Sequence, residues 1–221
     1  MTFLQLCQRL REEAGISGSG PSTVLNQTGV YATLVRWVQR AYAEIQFAEP
    51  RWDWLWVEGT FDTVVGQRDY DPVADLGLTN FNQWEKNSLY VRRPVPTQRW
   101  PLQFMEFEVH RHFYVLQQTE QVLIYTFTPN KKLRFDYMPN AVETVEFEYW
   151  RKPFQLVNDL DEPAFPEQYH DIILYKALMY YAANEEAAEI YGDAQANYTS
   201  YLERLRDGEL SRPYVDMVPL A

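Results

Sequence analysis

The chain has 221 residues, enough for one sizeable core or for one core with a small subdomain. Its formal net charge of −11 argues against tight binding to nucleic acid, which needs clustered Lys and Arg to displace counterions. Aromatic residues make up 16% of the chain, which favours a protein with extensive contact surface.

Cysteine usage and hydropathy indicate the cellular compartment in which the chain folds. The single cysteine, Cys7, excludes an intrachain disulfide, and its position on an apolar helix stripe predicts a buried, unreactive thiol. No segment approaches the roughly 18 apolar residues of a membrane span. The first residues lack the basic and then apolar pattern of a signal peptide. We therefore expect a chain that folds in a cytoplasm and has no membrane partner.

Residues 1–50 predict two helices. Thr2 and Gln5 form a capping box ahead of a short amphipathic helix that ends at Gly15. After a Gly/Ser-rich loop, Thr28 is the N-cap of a longer helix. That helix must end before Pro50, because the residue preceding a proline is pushed out of the helical region. Its apolar stripe recurs at steps of three and four residues: Val30, Leu34, Val38, Ala41, Ile45 and Ala48.

Three tryptophans, Trp52, Trp54 and Trp56, alternate with other residues directly after this helix. If the chain is extended here, the three indoles point to one face. We interpret them as core packing at the entry to a strand, because their neighbours are apolar. A stacking platform for sugars or nucleic-acid bases is the alternative that this pattern leaves open.

Residues 51–157 predict a β-rich domain inserted between helices. The pattern of 57–70 indicates a hairpin that turns near Gly66, and Leu89 with Val91 begins another strand. Residues 101–117 fit a helix about as well as a bent strand, and we choose the helix. Three strands with one polar face then predict an antiparallel meander over 122–128, 133–138 and 143–151.

Residues 158–208 predict two more helices that complete a bundle with the first two. Pro166 suits the first helical position, and the helix after it has an apolar face broad enough to be buried on more than one side. The last helix covers about 185–206 and ends at Gly208. Residues 209–221 contain two prolines and predict an extended partner-docking tail.

The predicted fold class is therefore α+β. The N- and C-terminal helices pack as a helical bundle, an antiparallel β-rich middle is inserted between them, and the C-terminal tail is extended. The predicted boundaries are 1–50 and 158–208 for the bundle, 51–157 for the inserted domain and 209–221 for the tail.

Motifs for chemistry are absent from the sequence. There is no GxSxG, no HExxH and no glycine-rich dinucleotide fingerprint. His110 and His112 lack the further ligands that a zinc site needs, so we interpret them as ordinary polar side chains. We predict no enzyme activity, no catalytic or metal-binding residues and no cofactor.

One basic cluster accompanies an aromatic residue. Arg92, Arg93 and Arg99 lie close in sequence to Trp100. We interpret this cluster as a solvated rim, and a modest phosphate contact is the alternative that it leaves open.

The order of these features resembles that of the head-to-tail adaptor, or connector, proteins of tailed bacteriophages. The matching features cover most of residues 1–207. They are FLQLCQRLREEAGI, then VYATLVRWVQRAYAEIQ leading to WDWLW, then EGTF with GQRDYD, a β-rich middle, and DEPAFPEQYHDIILYKALMYYAANEEA. The resemblance implies a structural virion protein that forms a ring, usually of twelve copies, docked under the portal. DNA would pass through the central channel without sequence-specific binding.

The resemblance also implies partners and a location. The partners are the portal protein, other copies of the chain and tail nozzle, tube or fibre proteins, with the β-rich middle facing the tail. The location is the head–tail junction of the virion, after assembly in the host cytoplasm. Residues 211–221 would reach into the portal, and the predicted portal-docking residues are Arg212, Pro213, Tyr214, Val215, Met217, Val218 and Leu220. For packing between subunits we predict Trp37, Tyr42, Tyr191, Tyr198, Leu202 and Leu205.

Two alternative functions stay open. A tail-tube or tail-completion component on the nozzle side would form a similar ring with a different neighbour, and the sequence does not separate it well from an adaptor. A glycan-binding protein that uses the tryptophan cluster comes from another class. Quenching of tryptophan fluorescence by added sugars would support it.

Overall fold

The computed structural model describes residues 1–94, 97–113, 118–119 and 123–210. These residues divide into two compact units. The helical unit combines Met1–Trp54 with the described residues from Pro153 onward, and the central unit is Leu55–Lys152. Helices and antiparallel-rich sheets are both present, which confirms the predicted α+β class.

The described residues contain five α-helices: α1 (Phe3–Glu13), α2 (Gly29–Phe47), α3 (Phe107–Phe113), α4 (Asp171–Asn184) and α5 (Ala188–Glu209). All except α3 belong to the helical unit. Within it, α4 packs against α1, α2 and α5, and α1 also packs against α2. The broad apolar face of α4 is therefore buried on more than one side, as predicted.

The helix ends test the capping predictions. In α1 the capping box is confirmed, since the Gln5 N–H donates to Thr2 Oγ1 at 3.3 Å and the Thr2 N–H donates to Gln5 Oε1 at 2.8 Å. α2 ends at Phe47, before Pro50, as predicted. Two other predictions are wrong. Pro166 precedes a 3₁₀ turn at Glu167–Tyr169 and not α4 itself, and α5 continues through Gly208 to Glu209.

The apolar stripe of α2 forms part of the core of the helical unit. Leu34, Val38, Ala41 and Ile45 are fully buried, whereas Val30, near the start of the helix, is 56% exposed. Cys7 of α1 is also fully buried, and desolvation raises the pKa of its thiol to about 12. The prediction of a buried cysteine is therefore confirmed.

The described strands all belong to the central unit. They are β1 (Trp56–Asp62), β2 (Asp69–Tyr70), β3 (Phe81–Trp84), β4 (Tyr90–Pro94), β5 (Thr97–Pro101), β6 (Gln103–Phe104), β7 (Gln118–Thr119), β8 (Ile124–Phe127), β9 (Leu133–Phe135), β10 (Met138–Pro139) and β11 (Thr144–Arg151).

Two sheets and one short ladder organise these strands. The five-stranded sheet has the order β1-β11-β4-β5, with β3 also paired to β11, and all of its pairs are antiparallel. The four-stranded sheet has the order β2-β9-β8-β6, in which only β6 and β8 are parallel. β7 and β10 form a separate parallel pair.

The strand pairing corrects three local predictions. Residues 57–70 do not form a hairpin, because β1 pairs with β11 and β2 pairs with β9. The three later strands do not form one meander, because β8 and β9 pair with each other while β11 lies in the five-stranded sheet. The helix predicted over 101–117 is shortened to α3, since β5 and β6 precede it, and 114–117 lie outside the described residues.

The core of the central unit is mostly aromatic. Its inward-facing residues on β11 are Val145, Phe147 and Tyr149, which alternate as the sequence pattern predicts. The polar ends of buried aromatic rings find partners. Trp84 Nε1 donates to the carbonyl of Lys131 at 2.7 Å, and the N–H of Asn87 donates to the Tyr125 hydroxyl at 2.9 Å. Because one face of the five-stranded sheet packs on this core, the polar residues of the sheet lie on its other face.

Candidate protein-docking surfaces

The first two predicted indoles, Trp52 and Trp54, belong to the helical unit. Trp52 is fully buried, stacks on Trp54 with the ring centroids 4.5 Å apart, and donates Nε1–H to the carbonyl of Gln46 at 3.2 Å. The residues from Asp53 to Leu55 form a 3₁₀ turn, so the backbone is not extended here and the condition for three indoles on one face is not met. The tighter turn lets the two indoles stack on each other, which an extended chain with one residue between them would not favour.

The third indole has a different neighbour. Trp56 begins β1 in the central unit, is 40% exposed, and stacks on Trp150 of β11 with the centroids 5.6 Å apart. The pairing is cross-strand, since these two residues lie directly opposite each other. The tryptophans are thus used in two separate stacked pairs, and the single platform that the glycan-binding alternative requires does not form from them.

The predicted subunit-packing residues fall into two groups. Tyr42 is 1% exposed and Leu205 is fully buried, so both side chains pack inside the subunit. The Tyr42 hydroxyl accepts the N–H of Ala164 at 2.9 Å, and burial raises the pKa of this tyrosine to about 12. The other four, Trp37, Tyr191, Tyr198 and Leu202, are exposed or half-buried and remain accessible to a partner.

A cluster of charges and tyrosines connects α2, α4 and α5. Glu44 accepts from Arg40 Nε at 2.9 Å and pairs with Lys176 Nζ at 3.1 Å. Burial acts to raise the pKa of Glu44, but the nearby Tyr180 hydroxyl and the contacts with Arg40 and Lys176 lower it overall. The Lys176 ammonium also lies 4.9 Å from the ring centroid of Tyr198. These contacts fix the position of Tyr198 on the surface of the helical unit.

A largely apolar groove of about 680 Å³ lies between the N-terminal half of α2 and the C-terminal end of α4. Val30 and Trp37 line it from α2, and Tyr181 lines it from α4. The Trp37 and Tyr181 rings meet edge to face with centroids 6.1 Å apart. Arg36 and Glu185 contribute charged groups to the lining. We call this feature the α2–α4 groove.

A second groove, of about 400 Å³, adjoins the first. It shares Arg36 and continues along α2 as far as Ala43, with residues 154–157 forming its other wall. We call it the 154–157 groove. The sequence gives only a weak signal for either groove, since the exposed Val30 lies on the same stripe as the buried core residues of α2. Together the two grooves follow α2 over much of its length.

The polar face of the five-stranded sheet carries the arginines of the predicted basic cluster. Glu146 is only 9% exposed, and Arg92 and Arg99 both form ion pairs with its carboxylate, Arg99 Nε at 2.6 Å. The Arg99 guanidinium also lies 3.8 Å from the ring centroid of Tyr90. Both guanidiniums thus have an internal anion as partner, which argues against the phosphate contact. The side chain of Arg93 lies outside the described part of the chain.

Glu146, Arg92 and Arg99 line a pocket of about 330 Å³ in the central unit, together with Glu58 and Glu148. Glu58 and Glu148 lie directly opposite each other on β1 and β11. Burial, followed by the nearby charge of Glu58, raises the pKa of Glu148. Like charges in directly opposed positions destabilise a strand pair, so Glu58 and Glu148 lower the stability of the sheet at this pocket.

The remaining candidate ligands do not converge. His110 is 1% exposed while His112 is exposed, although both lie on α3. In the described part of the chain, no three His, Cys, Asp or Glu side chains are placed to hold a metal ion. The helices described here are also too short or too polar for any of them to cross a membrane.

The seven predicted portal-docking residues, from Arg212 to Leu220, lie outside the described residues. The structure does describe the residues that immediately precede this segment. Leu210 forms an isolated antiparallel bridge with Trp52, and Arg206 Nε lies 2.8 Å from Glu49 Oε1. The segment 211–221 therefore starts beside the C-terminal end of α2.

Comparison with known proteins identifies one family. The SU10 adaptor protein family matches residues 1–218, which include both compact units. Among curated proteins, none matches the sequence. The family match covers nearly the entire chain and agrees with the resemblance drawn from the order of its sequence features. The chain therefore belongs to the SU10 adaptor protein family, a family of phage head-to-tail adaptors.

Proposed function

We propose that this protein is a non-enzymatic structural adaptor that forms a dodecameric ring, docks on the portal and connects it to the tail. DNA passes through the central channel of the ring without sequence-specific binding. The observation that carries the proposal is the match of the SU10 adaptor family over residues 1–218.

Accessible aromatic and aliphatic surfaces support ring formation. A closed ring of head-to-tail contacts needs two different complementary surfaces on each subunit. The helical unit offers Tyr191 and Leu202 on α5 as one surface and Trp37 in the α2–α4 groove as another. Tyrosine and tryptophan are enriched in such interfaces because they bury a large apolar ring while keeping a polar tip.

The proposed roles follow the predicted boundaries. Residues 1–50 and 158–208 form a helical bundle that holds the ring together, and 51–157 face the tail-side partner. Residues 209–221 dock on the portal. The division of the described residues into a helical and a central unit supports separate roles for them.

The charge of the chain supports passage of DNA without tight binding. Each subunit carries a formal net charge of −11. A channel wall of the same sign as the phosphate backbone repels the duplex, so that it slides without being held.

Imaging of the purified chain mixed with the portal protein of its phage tests this proposal. We expect a closed ring of adaptor subunits bound to one face of the portal. Deletion of 211–221 is expected to abolish co-purification with the portal while leaving the circular dichroism spectrum unchanged, because every described helix ends before residue 211. A variant with a scrambled 211–221 sequence controls for tail length. Binding to the tail tube and not to the portal would favour the tail-completion alternative.

A further inference from the structure

We propose that, in the free chain, residues 211–221 occupy the 154–157 groove and the α2–α4 groove of their own subunit. The two grooves and the portal would then compete for the side chains of residues 211–221. Only this competition rests on the proposed function. The intramolecular contact is a property of the isolated chain and can be tested without any partner.

The starting point and length of the segment allow this placement. The bridge between Leu210 and Trp52 and the ion pair between Arg206 and Glu49 place the start of the segment beside the C-terminal end of α2. Thr33, in the α2–α4 groove, lies about 21 Å along the helix axis from that end, at about 1.5 Å per residue. The segment 211–221 spans roughly 36 Å when extended, at about 3.3 Å per residue. It can therefore reach the far groove.

The two grooves provide a path in the required direction. The 154–157 groove runs from Ala43 to Arg36, and the α2–α4 groove continues from Arg36 to Val30. An extended segment that leaves the C-terminal end of α2 therefore meets the two grooves in order. The prolines of the segment, Pro213 and Pro219, favour an extended backbone and reduce the entropy that is lost when it binds.

The chemistry of the segment matches that of the α2–α4 groove. Its apolar side chains are Tyr214, Val215, Met217, Val218 and Leu220, and the groove offers Val30, Trp37 and Tyr181. Burial of these side chains would cover Val30, which is 56% exposed. The charge of Asp216 is also complementary to that of Arg36, which lines both grooves.

Disulfide trapping in the full-length chain tests the placement. The only native cysteine, Cys7, is fully buried with a raised thiol pKa, so introduced cysteines react with each other. The test variant combines Thr33→Cys with Val218→Cys, because Val218 lies eight residues after Leu210 and so reaches about 26 Å from it when extended. The matched control combines Thr199→Cys with Val218→Cys, because Thr199 is an exposed residue of α5 nearer in sequence to the segment. Both are oxidised at low protein concentration and analysed on non-reducing gels.

We expect the Thr33 pair to form an intramolecular disulfide at least roughly tenfold faster than the control pair, because the groove raises the effective concentration of the segment. Adding Val30→Arg to the test variant should slow the reaction to the control rate, since a charge would replace an exposed apolar side chain of the groove. Equal rates for the two pairs, or no effect of Val30→Arg, would overturn the proposal. Disulfide-linked dimers would also overturn it, because they would place the segment in the groove of another copy.

Discussion

Gly59 of β1 lies directly opposite Phe147 of β11, and a Cβ atom added to Gly59 would lie only 2.5 Å from Cζ of the phenylalanine ring. The ring has no room to move, because Phe147 is 2% exposed and packs against Phe61 and Trp84. The absence of a side chain at Gly59 thus lets the backbone of β1 cover the aromatic core closely.

Gly59→Ala is therefore expected to lower the free energy of unfolding by about 1–3 kcal/mol, the usual cost of overpacking a core. Urea unfolding followed by tryptophan fluorescence measures the change. Gly192→Ala is the matched control, because a Cβ there meets open space on α5. It should stabilise the protein by about 0.5–1 kcal/mol through helix propensity. Equal effects of the two substitutions would contradict the close contact.

Trp52→Ala should destabilise the helical unit by about 3–5 kcal/mol, the usual cost of removing a large buried aromatic side chain. Trp52 is fully buried, stacks on Trp54 and donates a hydrogen bond to Gln46, so all three contributions are lost together. Far-UV circular dichroism during urea unfolding measures the loss without relying on tryptophan emission. Trp56→Ala, at a 40% exposed position, should cost clearly less. Similar losses for both variants would contradict the expectation that the buried Trp52 contributes more to stability than the partly exposed Trp56.

The helices of the helical unit could be predicted from the sequence because their signals are local. The capping box of Thr2, the stop before Pro50 and the stripe that buries Leu34 all depend on residues within a few turns of each other. The end of α5 could not be placed, since Gly208 is tolerated within a helix whose last turn is held by the bridge of Leu210 to Trp52.

The strand partners could not be predicted, because pairing depends on residues distant in sequence. The alternation around Phe147 identified β11 as a strand, yet its partners β1, β4 and β3 come from separate earlier segments. The same limit applies to the candidate surfaces. Glu146 binds Arg92 and Arg99 only because β4 pairs with β11 and β5 pairs with β4, and no spacing in the sequence links Glu146 to these arginines.

The cluster around Glu146 predicts non-additive mutational effects. The Glu146 side chain is 12% exposed, whereas those of Arg92 and Arg99 are 64% and 54% exposed. Replacing both arginines by alanine leaves a mostly buried carboxylate without its cations, and we expect a loss of about 3 kcal/mol. Adding Glu146→Gln to that double variant should restore about 1–2 kcal/mol, because the buried charge is removed.

Urea unfolding of four proteins measures these effects: the original chain, Glu146→Gln, the double arginine variant and the triple variant. Glu146→Gln alone should cost less than the double arginine substitution, since both guanidiniums are already accessible to water. If the triple variant were no more stable than the double one, the carboxylate would not be the group that the arginines stabilise.

The buried histidine of α3 predicts a loss of stability in acid. His110 is 1% exposed, and desolvation together with the nearby Arg68 and Arg134 lowers the pKa of His110 to about 4. In the unfolded chain this pKa is near 6.5, so between these two values the unfolded state binds a proton that the folded state does not. The stability that neutral His110 contributes is therefore fully present above pH 6.5, and it is lost as the pH is lowered toward 4. The loss from this group can reach about 3 kcal/mol.

His110→Gln should remove this part of the pH dependence, because glutamine has no titrating group. Urea unfolding of the original chain and the variant at several pH values between 7 and 4 gives the difference in slope and cancels the carboxylates that titrate in both. His112→Gln is the matched control on the same helix, since His112 is exposed. Its slope should follow that of the original chain. A slope that His110→Gln leaves unchanged would mean that His110 is protonated in the folded protein as readily as in the unfolded one.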